Sequence, residues 1–67
     1  MVDDPDIWRA ALLMVKRHGA DAALTAARRA EELLLTGDAD GAAVWGRILD
    51  AVIEVQRITP IKGERVN

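Results

Sequence analysis

Apolar residues return along this chain at three- and four-residue intervals, in blocks punctuated by glycine. From Pro5 to His18, the residues Ile7, Trp8, Ala11, Leu12, Met14 and Val15 share one face of a helix, with Arg9 and Lys16 on the opposite side. Leu13 falls among the polar residues, so it is either exposed or covered by a partner. Asp4 can cap the free N–H groups at the start of this helix, and Pro5 suits the first helical position, where no N–H is required. Asp6 complements the positive end of the helix dipole, while Lys16, Arg17 and His18 complement the negative end. Gly19 can take a left-handed cap.

A second block predicts a helix over 21–36, capped by Asp21 and stopped by Gly37. Its inner face is small: Ala22, Ala23, Ala26, Ala27 and Ala30, then Leu33 and Leu34. Alanines let a neighbouring helix approach closely and leave room for a large side chain opposite. Trp8 and Trp45 are the side chains expected to fill it. Leu24 and Leu35 lie off this face, beside Arg28 and Glu31, and with Leu13 they make a second, shallower apolar surface. Gly37-Asp38-Ala39-Asp40-Gly41 is a turn in which either aspartate can cap the next helix.

The third helix, over 39–58, has the cleanest pattern, with Val44, Trp45, Ile48, Leu49, Val52, Ile53 and Val55 on one wide face. Arg47, Asp50, Glu54 and Arg57 gather opposite. A stripe this wide serves more than one neighbour, so this helix is expected to be the spine. Pro60 disfavours helix in Thr59. Residues 60–67 lack periodicity and read as an extended or flexible tail. No alternation sustains a strand. The expectation is an all-α protein: one compact three-helix domain over 1–59, followed by the tail.

Length and composition narrow the support this domain can have. A core in 67 residues supplies only about 3–5 kcal/mol. With no cysteine and a single histidine, disulfides and thiolate or histidine metal sites are removed. Self-association or a larger protein partner remains. A net charge of −2 argues against a broad nucleic-acid footprint. The third helix, where a DNA reader would stand, alternates Arg47 and Arg57 with Asp50 and Glu54. No apolar run approaches the roughly 20 residues that span a bilayer. The start, Met1-Val-Asp-Asp-Pro, lacks the basic and apolar parts of a signal peptide. A cytoplasmic protein is the expectation.

Candidate chemistry is sparse. The chain has no serine, cysteine or tyrosine, and Thr25, Thr36 and Thr59 read as surface or helix-end residues. A hydrolase needs a nucleophile, a base and an orienting group. Only His18 can be a base, and it reads better as a charged or hydrogen-bonding residue at a helix C-terminus. Asp3, Asp4 and Asp6 are explained by capping, and Glu31 and Glu32 by salt-bridge spacing from Arg28. Asp38-Ala-Asp40-Gly41 fails as a calcium loop. That pattern wants an oxygen ligand at Ala42, a glycine at Ala43 and a glutamate at Leu49. Gly37 and Gly41 flank aspartates, which repel phosphate. No catalytic residue, cofactor, metal or small-molecule ligand is expected.

Trp8, His18-Gly19, Gly37-Asp38, Gly41 and Trp45 together form a pattern. It resembles that of a group of short, uncharacterised bacterial proteins, mostly alphaproteobacterial, classed as a domain of unknown function. In that group an early tryptophan precedes a His-Gly break, and a second helix leads to Gly-Asp-x-x-Gly. Another tryptophan follows four residues later. The match covers roughly residues 6 to 50. It implies a helical fold and a bacterial source, with no activity attached.

The expected function is therefore an interaction or accessory module, self-associating or bound to a protein partner. Its candidate surface is Leu13, Leu24 and Leu35, and Trp8, Trp45, Gly19, Gly37, Asp38 and Gly41 are its structural anchors. The alternative is a small nucleic-acid-linked regulator, of repressor or antitoxin type. An enzyme or ligand carrier would need a pocket beside Trp8 or Trp45.

Overall fold

The computed structural model describes residues 4–58. All of these are helical except Asp4 and the turn Thr36–Asp38. The α-helical stretches are α1 (Pro5–His18), α2 (Ala22–Leu35) and α3 (Ala39–Ile58), with a short 3-10 turn, Gly19–Asp21, between the first two. The tail expected over 60–67 lies outside the described residues, as does Thr59.

The expected count of three separate helices is corrected here. Helical winding continues from Pro5 to Leu35 and only bends at Gly19–Asp21, so the described chain holds two uninterrupted helices, the first of them bent. Gly19 supplies the bend with φ 57° and ψ −128°, while its N–H still reaches the Val15 carbonyl. The Ala22 N–H then bonds to the Gly19 carbonyl. This continuity also corrects the role given to Asp21. Its side chain makes no capping hydrogen bond, because the 3-10 turn leads straight into α2.

The other helix ends follow local chemistry. The Asp4 carboxylate accepts from the N–H groups of Asp6 at 2.9 Å and Ile7 at 3.4 Å, with Pro5 in the first turn. At the end of α2, Gly37 adopts φ 88°. There the Gly37 N–H bonds to Leu34 O and the Asp38 N–H to Leu33 O, the paired bonds of a Schellman stop. Of the two candidate aspartates, Asp38 caps α3, accepting from the Gly41 N–H at 2.9 Å.

Packing makes α3 the spine. It lies along both α1 and α2, which touch each other much less. The central cluster joins Ile7 and Ala11 of α1, Ala22 of α2, and Ile48, Ala51, Val52 and Val55 of α3. Trp8 and Trp45 are half-buried and pack against this cluster, together with Met14 and Val15. Ala26 and Ala42 are buried as well. The bend is tied to α3 by one long-range bond, from Gln56 Nε2 to Gly19 O at 3.0 Å.

Several members of the expected apolar faces are not covered. Leu12, Leu34, Val44 and Ile53 are exposed, although the wheel placed them with core residues. Ala42 and Ala51, passed over as core candidates, are buried instead. The wheel gives a direction, but each helix buries only the strip its neighbour reaches, and here those strips are narrow. Close contact through alanine leaves larger side chains at the edges outside. The ion pairs are local and exposed, and Glu32 pairs with Arg29 at 3.2 Å rather than with Arg28.

Candidate functional site

Among the described residues, an open groove of about 270 Å³ lies between α1 and α3. Ala10, Leu13, Met14, Arg17 and His18 line it from α1, and Trp45 and Ile48 from α3. Ala10 and Trp45 are both partly buried against the core cluster where they line it. One end carries the cations of the last turn of α1, where the helix dipole is negative. The groove is thus an apolar trough with a basic end and an open mouth.

The structure places the three leucines of the expected surface unequally. All are exposed: Leu13 at 52%, Leu24 at 53% and Leu35 at 80%. Leu13 lines the groove beside Trp45, whereas Leu24 and Leu35 stand on α2, away from it. Those two share one face of α2, with Arg28 and Glu31 between them, also exposed. They form a separate stripe.

Of the remaining residues expected to matter, Trp45 contributes to the groove and Trp8 does not. Gly19, Gly37, Asp38 and Gly41 shape the bend and the turn. An added Cβ on Gly41 would lie 2.6 Å from Asp38 Oδ2 and 2.9 Å from its Cγ, so the missing side chain is what lets the capping carboxylate close over α3. Ala10 is a groove residue absent from the sequence expectations, while Met14 and Ile48 were expected on apolar core faces and Arg17 only as a complement to the helix dipole. The signal for Arg17 lies in the stripe Asp6, Ala10, Leu13, Arg17, whose spacing of four, three and four keeps all of them on one side of α1.

Among the described residues no three His, Asp or Glu side chains gather as a metal-binding group, and no buried side-chain polar atom lacks a partner. None of the described helices is long and apolar enough to cross a membrane. What the groove offers is apolar contact with the Arg17 and His18 side chains at one end. Comparison with protein-family models, with curated proteins and with solved structures finds no match.

Proposed function

We propose that this chain is a small helical interaction module whose partner is a second copy of itself. The observation that carries the reading is the balance of large aliphatic side chains. Among the described residues, only Ile7, Ile48, Val52 and Val55 are buried of those larger than alanine. Leu12, Leu13, Leu24, Leu34, Leu35, Val44, Ile53 and Ile58 are exposed and outnumber them. Single exposed leucines are ordinary on a protein surface, and it is their number beside so small a buried set that supports an interface reading here. A short chain without disulfides gains from pairing the stability that its core lacks.

Light scattering over a dilution series tests this. The wild type should run at the dimer mass and fall towards the monomer on dilution. Leu13→Glu should move the balance to monomer while circular dichroism retains the helical signal. A wild type that stays monomeric throughout the series would overturn the reading.

A further inference from the structure

We infer that the pairing surface is α1 itself, taken antiparallel by α1 of a second copy, with Asp6 opposite Arg17 and Leu13 opposite Ala10. This rests on the self-association reading and goes further, since it names the face, the register and the contacts.

Asp6, Ala10, Leu13 and Arg17 form one stripe. It lies along the open side of α1, and Ala10, Leu13 and Arg17 also line the groove. Read from its start the stripe is acidic, small, large, basic. Turned end for end, it is its own complement. A two-fold axis perpendicular to two antiparallel copies requires that residue i meet j and j meet i. Setting Asp6 against Arg17 of the other copy then sets Ala10 against Leu13 in the same register. Both ion pairs and both small–large contacts form together, with no second adjustment.

The surroundings fit the same arrangement. Leu13 of the second copy, arriving over Ala10, enters the groove bounded by Met14, Trp45 and Ile48. The two helix dipoles run antiparallel, so the acidic first turn of each α1 meets the basic last turn of the other. Arg17 forms no ion pair with any described residue, and Asp6 makes only a long, exposed contact of 3.9 Å with Arg9. Both charges are therefore available. Arg9 and Lys16, both exposed, flank the stripe on α1.

Charge swapping tests the register. Sedimentation equilibrium is run on the full chain carrying Asp6→Arg, Arg17→Asp, or both. Each single variant sets like charges against each other twice per dimer, and should weaken pairing about tenfold or more. An equimolar mixture of the two single variants should recover the dimer mass as a heterodimer, and the doubly swapped chain should pair as the wild type does. If the wild type is a dimer but neither the mixture nor the double swap recovers pairing, the α1 register is overturned while self-association stands. A monomeric wild type removes both. Should a single variant fail to fold, cross-linking decides: the chain has no native cysteine. Ala10→Cys mixed with Leu13→Cys should form a mixed disulfide faster than either variant links to itself. Absence of that preference overturns the register.

Discussion

Asp38 and Gly41 act as one unit at the start of α3. The carboxylate accepts the Gly41 N–H, and the space it occupies is the space a Cβ on residue 41 would need. Asp38→Ala should cost about 1 kcal/mol, the usual worth of such a cap. Gly41→Ala has two opposed effects in the native chain. Alanine favours helix over glycine by about 1 kcal/mol, but its Cβ displaces the cap. The expected sum is near zero. In the Asp38→Ala background only the favourable effect remains, so Gly41→Ala should there stabilise by about 1 kcal/mol. Urea unfolding of the two single variants and the double variant measures the coupling. Strict additivity would show that the two residues act independently. The turn and the presence of a cap were visible in the sequence, because capping depends on neighbours two or three positions apart. Which of Asp38 and Asp40 does the capping was not visible.

At the scale of the element, the bend between α1 and α2 is the feature the sequence conveyed least well. His18-Gly19 read as the end of one helix, and Gly19 does cap α1 with positive φ, but a 3-10 turn carries the helical chain on into α2. What ties this bend to the rest of the fold is Gln56, far along the chain on α3. Removing the amide leaves a part-buried carbonyl without its side-chain partner. Gln56→Ala should therefore lower stability by about 1 kcal/mol. It should also speed amide exchange at Ala22 and Ala23, next to the bend, more than at the start of α3. Equal effects at both places would mean that Gln56 contributes only to global stability. Gln56 stands one turn beyond Val52, on the buried side of α3. A lone polar residue on such a side calls for a partner, but the sequence does not say which one.

For the whole molecule the deciding quantity is how little is buried. Among the described residues the largest fully buried side chain is Val52, and much of the remaining core is alanine. If pairing covers Leu13 and its neighbours, stability is linked to association by mass action. The melting temperature should rise with protein concentration over about a hundredfold range. It should fall, and lose that dependence, in Leu13→Glu. A melting temperature independent of concentration in the wild type would mean that the folded chain is self-sufficient.

By itself the sequence determined the helical class, the turn between α2 and α3, and the caps at Asp4 and Gly37. These rest on φ preference, on the orphan N–H and C=O groups of helix ends, and on partners a few residues away. It also restricted the candidate chemistry, since residue types are either present or missing. Only the tertiary structure decided that Leu12, Leu34, Val44 and Ile53 stay outside while Ala42 and Ala51 go in. Only it brought Arg17 and Trp45 to one groove and Gln56 to Gly19. Those outcomes depend on where helices cross, and a crossing is fixed by side chains far apart in the chain, with close alanine contacts narrowing the strip each helix covers.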